Sequence, residues 1–262
     1  MGISFLIGIG AYLVSLIVAL SPIGEWILRK QTGCKKIRRR EQLEYLMPIF
    51  QEAYDRARQL EPGIADDIQL YINDNEAPNA FATGRKTICI TKGLLQLPPE
   101  QIKAILGHEF GHLAHKDTDL ILVVAVGNII VNLLIFGIKL FIEVCHLIIM
   151  CLTLFFGGKH GWLGTIMAAL YRLCLMAIVG GLSWLWTKIG IVLVMKSSRQ
   201  NEYEADEFSF NMGYGNELCM GLENICGTGA KGLFASLASS HPDKDDRIAR
   251  LQELGATYRV EW

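Results

Sequence analysis

Two long apolar runs constrain most strongly what this chain can fold into. They cover residues 120–156 and 162–195, and only the short glycine-rich stretch 157–161 separates them. Since about 20 apolar residues in a helix cross a bilayer, each run is longer than one membrane span requires. We therefore expect two long membrane helices that protrude from the bilayer, with four short spans as the alternative. Either number is even, so the chain returns to the side from which it entered.

Three polar residues interrupt the first of these runs: Lys139, Glu143 and His146. Spacings of four and three residues put them on one face of a helix. We expect a stripe that faces solvent or a partner, with an ion pair between Lys139 and Glu143. A pathway for protons or ions along this stripe is the alternative.

A third apolar run begins near the N-terminus. Residues 3–20 carry no charge and, as a helix, span about 27 Å, and we expect this helix to continue to Leu28. A cleaved signal peptide is the alternative, but positive charge is missing before the run and dense after it. The positive-inside rule keeps this basic cluster in the cytosol: Arg29, Lys30, Lys35, Lys36, Arg38, Arg39 and Arg40.

Charge and cysteine usage narrow the function classes. The formal net charge is −1, which gives no general reason to expect a nucleic-acid-binding protein. We therefore interpret the basic cluster as a contact with anionic lipid headgroups rather than with nucleic acid. The seven cysteines are an odd number and contain no C-x-x-C pair, so a disulfide framework is not expected.

The motif with the clearest chemistry is H-E-x-x-H, formed by His108, Glu109 and His112. In a helix the two histidines lie one turn apart on one face, where both imidazoles can reach the same ion. A catalytic zinc keeps three protein ligands and leaves its fourth position to water. Glu109 would accept the proton of that water. The alternative is a helix with two histidines that serve packing only.

The third ligand must come from elsewhere in the chain. The extended metzincin pattern needs Gly and His three and six residues after His112, but those positions hold His115 and Thr118. Farther along, a polar helix places Glu202 and Asp206 one turn apart on one face. Glu202 can reach the zinc while Asp206 holds a zinc histidine by its second ring nitrogen, with Arg199 also assigned to support the ligands. Glu204 is the reserve ligand, and an acidic helix surface without metal is the alternative.

The segment before the motif predicts a small sheet. An amphipathic helix is expected over residues 40–60, a strand over 68–72, and a hairpin from 79–83 and 87–91. One strand of so small a sheet is expected to be an exposed edge, where an extended substrate can pair with the backbone. We assign substrate binding to Asn79, Ala80 and Phe81. A hairpin that merely covers the motif helix is the alternative.

Several motifs together carry a family resemblance. The chain resembles the HtpX family of membrane-bound zinc metalloproteases, relatives of the prenyl-CAAX endoproteases. The resemblance rests on H-E-F-G-H at 108–112, N-A-F-A-T-G at 79–84, E-Y-E-A-D at 202–206, and S-H-P at 240–242 with Arg247 and Ile248 beyond. It departs from the family in having one N-terminal span instead of two.

The resemblance implies a gluzincin site with one Zn²⁺ per chain, held by His108, His112 and Glu202. It also implies that His241 lies near the zinc, where it steadies the oxyanion or plugs the fourth position at rest; a loop histidine that caps the last helix is the alternative. Tyr203 is the second candidate for holding the oxyanion.

We expect an α+β, mostly helical fold: a zincin-type protease domain with a small β-sheet, plus transmembrane helices. The expected segments are an anchor (1–28), the first part of the protease domain (29–118), a membrane hairpin (119–195) and the second part (196–262). The expected function is zinc-dependent cleavage of misfolded or membrane proteins in quality control. The expected location is the bacterial inner membrane, with the active site on the cytoplasmic side. A catalytically silent zinc-binding scaffold and a prenyl-CAAX-type processing protease are the alternatives.

Overall fold

The computed structural model of the chain describes residues 13–156, 158, 161–225 and 243–258. The chain forms two compact units: Met1–Val126 with Leu193–Trp262, and Gly127–Val192. The membrane segment predicted at 119–195 contains the whole of the second unit, and the four-segment division itself stays a prediction.

The described N-terminal part is helical but not one continuous helix. Residues 13–19 form helix α1, and helix α2 covers Pro22–Gln31. Pro22 lacks a backbone N–H and suits the first turn of a new helix, while the Ser21 hydroxyl accepts a hydrogen bond from the Ile23 N–H at 3.2 Å. The prediction of one helix through Leu28 is therefore wrong, because a proline preceded by a capping serine starts a second one.

A four-stranded mixed sheet follows, in the order β1-β2-β4-β3. Strands β2 and β4 are parallel, whereas β1 pairs antiparallel with β2 and β3 pairs antiparallel with β4. The predicted strand at 68–72 and the predicted hairpin are confirmed, and β3 is one of the two edge strands, although its first residue, Ala80, is buried. Strand β1 was not predicted, since two lysines carry no strand pattern. The strands are Lys35–Lys36 (β1), Gln69–Asn73 (β2), Ala80–Ala82 (β3) and Thr87–Thr91 (β4).

Two helices share one apolar core with the sheet. Helix α3 covers Arg40–Leu60, as predicted, and helix α4 covers Pro99–Ala114 after a 3-10 turn at Lys92–Gln96. Helix α4 packs against strand β3, and helix α3 packs against α4. Their aromatic side chains stack, with ring centroids 5.5–5.7 Å apart. The stacked rings are those of Phe50, Tyr54 and Phe110. Helix α4 is buried along most of its length, so its polar motif residues lie in the interior.

The two apolar runs form two long helices, α5 over Asp117–Phe156 and α6 over Gly161–Ser209. Each contains a stretch long and apolar enough to cross a membrane, so the two-helix prediction holds. The predicted Lys139–Glu143 pair is wrong. Glu143 instead accepts hydrogen bonds from Nε and Nη2 of Arg172 at 3.0 and 2.5 Å, because a guanidinium on the facing helix reaches the carboxylate with two donors.

The chain after α6 returns to the first unit. A kink at Phe210–Tyr214 leads into helix α7 at Gly215–Asn224, and helix α8 covers Lys244–Leu254. Gly213 adopts φ +90° within the kink, a conformation that glycine tolerates best. Helix α8 brings Arg247 into the interior, where it is 7% exposed.

Candidate active site

Helix α4 carries both motif histidines toward one point. His108 and His112 lie one turn apart, and their Nε2 atoms are 3.1 Å from each other. Such an approach of two ring nitrogens is unfavourable if both carry a proton or if both lone pairs face each other. A shared cation between them removes this conflict, so the pair has the arrangement of two metal ligands.

Glu202 joins the histidines from the last turns of α6. Its carboxylate oxygens lie 3.4 Å from Nε2 of His108 and 3.5 Å from Nε2 of His112. One ligand atom from each of the three residues falls within 4.8 Å of the others. Glu204, the reserve ligand, instead accepts a hydrogen bond from Gln200 at 2.9 Å.

Two glycines explain how α6 comes so close to α4. A Cβ on Gly111 would lie 2.8 Å from Cα of Ala205, and a Cβ on Gly107 would lie 2.9 Å from the Ser209 hydroxyl oxygen. Only a helix face without side chains allows this approach. The Ser209 hydroxyl also donates to the Ala104 carbonyl at 2.8 Å, which fixes the two helices against each other.

The spacing of the three side chains fits zinc. Ligand bonds of about 2.0–2.1 Å in a tetrahedral site separate the ligand atoms by roughly 3.3–3.4 Å. The observed separations of 3.1, 3.4 and 3.5 Å surround this value. Two imidazoles and one carboxylate are also a ligand set that suits zinc. His108, His112 and Glu202 can therefore hold such an ion with little rearrangement.

Each histidine is oriented by a carboxylate on its other ring nitrogen. Nδ1 of His108 lies 2.8 Å from Asp206, and Nδ1 of His112 lies 2.9 Å from Asp117. A proton on each Nδ1, donated to these carboxylates, leaves both Nε2 lone pairs available to a metal. The partnership of Asp206 follows the prediction. Asp117 was missed, although it stands only five residues after His112.

Arg247 is the second residue that sequence reasoning left without a role. Its Nε and Nη2 donate to both oxygens of Asp206 at 2.7 and 2.6 Å, and its Nη1 lies 3.3 Å from Glu202. The Asp206 carboxylate outweighs burial and raises the pKa of Arg247. Arg247 thus holds two of the acidic residues in place. A positive charge in the acidic first turn of a helix was the sequence feature that could have indicated a role for Arg247.

The acidic surroundings also favour protons on the histidines. Burial lowers the pKa of His112, but hydrogen bonds with Asp117 and Glu202 outweigh it and raise the pKa to about 10. For His108, burial and the Arg247 charge lower the pKa, and Asp206 and Glu202 raise it further than that. Protons and a metal ion therefore compete for the same nitrogen atoms.

We expect zinc affinity to fall as the pH falls. Because the raised histidine pKa values keep His112 protonated at neutral pH in the metal-free protein, zinc entry must release at least one proton. Competition with a coloured zinc chelator at several pH values measures the affinity, and calorimetry in buffers of different ionisation enthalpy counts the protons. A zinc affinity that is constant across neutral pH would contradict this expectation.

Glu109 lies beside the cluster and is held by the sheet. It is 6% exposed, and its Oε2 accepts a hydrogen bond from the Ala82 N–H of β3 at 2.5 Å. This bond fixes one oxygen of the carboxylate and leaves the other available. A buried, oriented carboxylate next to a metal site has the position that a general base needs.

Strand β3 lies at an edge of the sheet, so the N–H and C=O groups of alternate residues point away from β4. The backbone N–H of Thr83 donates to the Thr87 carbonyl, and the backbone N–H of Thr91 donates to the Asn79 carbonyl, each at 2.9 Å. Since antiparallel partners alternate, Asn79 and Phe81 face β4, whereas Ala80 directs its N–H and C=O outward. Of the three residues predicted to bind substrate, Ala80 is the one with outward backbone groups.

The remaining predicted residues have contacts other than with the three ligands or lie outside the described residues. The Tyr203 ring packs under the Arg250 guanidinium at 4.8 Å, and Arg199 is exposed at the surface. His115 is exposed beside the Phe208 ring. His241 lies outside the described residues. The roles assigned to Tyr203, Arg199 and His241 stay predictions.

Comparison with known proteins relates this site to a peptidase family. The sequence model of peptidase family M48 matches residues 51–255. A Protease HtpX homolog from Kineococcus radiotolerans is 30% identical over 80% of this chain and 73% of its own length. A Protease HtpX homolog from Thermoplasma acidophilum is 38% identical over 36% of this chain.

The extent of these matches differs. The chain covers only 26% of the Thermoplasma acidophilum protein. Among solved structures, S. mikatae Ste24p is 20% identical, and the match covers 94% of this chain and 58% of that chain with a TM-score of 0.45.

Proposed function

Because the chain belongs to peptidase family M48, we propose that it is a membrane-bound, zinc-dependent endopeptidase that cleaves misfolded or membrane proteins. The observation that carries this proposal is the convergence of His108, His112 and Glu202, with Glu109 alongside them. The two helices that are long and apolar enough to cross a membrane support the membrane location.

The proposed reaction is hydrolysis of a peptide bond by water. Zinc held by these three residues supplies Lewis-acid activation of water and of the scissile carbonyl. Glu109 accepts the proton of the attacking water and passes it to the leaving amine. The Ala82 N–H keeps the Glu109 carboxylate aimed during this transfer. Asp206 and Asp117 keep the histidine rings oriented, as Arg247 does for Glu202.

Substrate is proposed to bind as an added strand on β3. Ala80, which is 6% exposed, directs its N–H and C=O away from β4, and we propose that a peptide in extended conformation pairs with both. The Ala82 N–H, two residues farther along, is bonded to Glu109. A peptide aligned on Ala80 therefore runs toward the general base. This pairing uses the backbone N–H and C=O groups of the substrate. An unfolded segment is therefore favoured over a folded one, because its backbone groups are free to pair.

The orientation in the membrane is proposed from charge. Basic residues are dense after the N-terminal apolar run, and the positive-inside rule puts them in the cytosol. The sheet and the metal cluster belong to the same unit as this basic segment. We infer an active site on the cytoplasmic side of a bacterial inner membrane, with a role in the quality control of membrane proteins.

The proposal is tested by cleavage of an unfolded model protein, such as casein, by detergent-purified chain. We expect cleavage with zinc, none after treatment with a chelator, and recovery when zinc is restored. A farnesylated peptide serves as the second substrate. Cleavage of the farnesylated peptide but not of casein would identify a prenyl-CAAX-type processing protease instead. One zinc per chain without cleavage of either substrate would identify a silent scaffold.

A further inference from the structure

A strongly basic cavity lies beside the N-terminal segment, within the first unit. It has a volume of about 790 Å³ and is bordered by α2, β1, β2 and the chain leading into α3. Seven of its fourteen lining residues are lysine or arginine, whereas Asp74 is the one acidic residue among them. This concentration of charge contrasts with the net charge of −1 for the whole chain.

Neighbouring side chains neutralise only part of this charge. Asp74 pairs with Lys35 and, at 2.7 Å, with Lys92. Hydrogen bonds from these two lysines lower the pKa of Asp74 to about 2, so it remains ionised and committed to them. Arg29 lies 3.6 Å from Glu25 and donates to the Thr87 hydroxyl at 3.1 Å.

Four cations of the cavity are left without an acidic partner. Within the part of the chain that the structure describes, no ion pair involves Lys30, Lys36, Arg38 or Arg39, although all four line the cavity. Like charges so close together raise the local potential and attract an anion. Arginine and lysine together bind phosphate well, through hydrogen-bonding forks and point charges.

The cavity also has apolar and aromatic walls. Tyr71 and Ile72 are buried at 7% and 6% exposure, and the Arg29 guanidinium stacks over the Tyr71 ring at 5.3 Å. Trp26 also lines the cavity and is 54% exposed. A phosphate attached to an apolar body would match both the charged and the apolar walls.

The two N-terminal helices, α1 and α2, also carry exposed apolar side chains, which we call the N-terminal apolar stripe. Its side chains have exposed fractions between 52% and 70%. They are Leu13, Val14 and Ile17 of α1, with Ile23 and Trp26 of α2. A soluble phosphate compound or an acidic peptide needs no such stripe, whereas a lipid offers acyl chains to it. The positive charge of the cavity and the N-terminal apolar stripe therefore both favour a phospholipid as the ligand.

We propose that this cavity binds the phosphate headgroup of an anionic phospholipid. Lys30, Lys36, Arg38 and Arg39 surround the phosphate, while Trp26 lies against the glycerol and the first acyl carbons. The site is separate from the metal cluster, and its occupation holds α2 and β1 at the bilayer surface.

The test uses Trp26 as a reporter in the full-length, zinc-loaded protein. Phospholipids brominated near the glycerol backbone quench tryptophan fluorescence on contact. Brominated phosphatidylglycerol is compared with brominated phosphatidylcholine in mixed micelles, and a Trp26→Phe variant supplies the signal of the four other tryptophans. We expect the Trp26 signal to be half-quenched at roughly tenfold lower mole fraction of phosphatidylglycerol.

Charge reversal locates the site. Lys36→Glu with Arg38→Glu removes two of the four unpaired cations, and we expect the preference for phosphatidylglycerol to disappear. Arg58→Glu with Lys244→Glu changes the net charge equally at exposed positions outside the cavity, and it should keep the preference. Lys36→Gln with Arg38→Gln should weaken the preference without charge repulsion. Zinc content and helical circular dichroism establish that each variant is folded.

The results separate a lipid from other anions. Equal quenching by the two lipids, or a preference that survives charge reversal in the cavity, would overturn the proposal. Soluble glycerol phosphate that displaces the lipid at the same concentration would assign the site to a free phosphate ester instead. Displacement by an oligoglutamate peptide at such a concentration would assign it to an acidic protein segment.

Discussion

Replacement of Glu109 by Gln is expected to abolish most peptide hydrolysis while the zinc content stays at one per chain. Gln keeps the shape of the side chain, and its carbonyl oxygen can still accept the hydrogen bond from the Ala82 N–H. It cannot accept a proton from water. Loss of a general base typically costs about 10²- to 10⁴-fold in rate, and initial rates on casein measure the loss.

A matched control lies on the same helix. Glu100 is in the first turn of α4 and pairs with Lys103 at 2.9 Å, far along the helix from the histidines. Glu100→Gln makes the same chemical change and should leave the rate nearly unchanged. Wild-type activity in the Glu109→Gln variant would show that another group takes the proton. Loss of zinc in that variant would show that Glu109 is itself a ligand.

Removal of the Glu202 carboxylate is the second substitution with a large expected effect. Glu202→Ala takes away one of three ligands and leaves two imidazoles, which hold zinc weakly. Loss of an outer partner alone reduces metal affinity by about 10- to 100-fold, and loss of the ligand itself should exceed this. Zinc retained after dialysis against a chelator, determined by elemental analysis, measures the effect.

The neighbouring Glu204 provides the control for this substitution. It belongs to the same helix but hydrogen-bonds Gln200, so Glu204→Ala should retain zinc. If Glu204→Ala lost zinc and Glu202→Ala kept it, the third ligand would be Glu204. Because Arg247 lies near Glu202, folding of the Glu202→Ala variant is checked by circular dichroism before the zinc content is compared.

The separation of the ligands along the chain decided how much of the site the sequence could predict. The four-residue spacing of His108 and His112 is local, and helix geometry alone brings them together. Glu202 could be proposed because the E-x-x-x-D spacing with Asp206 is local as well. No local rule links Arg247 to either helix, since its position depends on how α8 packs. Asp117 was also missed, because it is the first residue of α5 and its approach to His112 depends on the turn between α4 and α5, which leaves no periodic pattern.

In the fold too, features set by local sequence pattern could be predicted, whereas features set by pairing between distant segments could not. The alternation of apolar residues predicted β2 and the β3–β4 hairpin, but β1 depends on pairing with β2 rather than on its own lysines. The small size of the sheet predicted that one strand would be an edge, but not which one; β1 and β3 are the edge strands. Which residues of β3 direct their backbone groups outward depends on its hydrogen-bond register with β4. The residue types from Asn79 to Phe81 do not determine that register.

The order of the metal ligands along the chain has a consequence for biosynthesis. His112 and Glu202 are separated by roughly 90 residues, a stretch that includes α5 and the apolar part of α6. During translation the first two ligands therefore emerge long before the third, and Arg247 emerges last. A nascent chain cannot assemble the complete zinc site until its apolar hairpin has been synthesised. The enzyme is thus unable to cut proteins at the ribosome before its own membrane segments have been made.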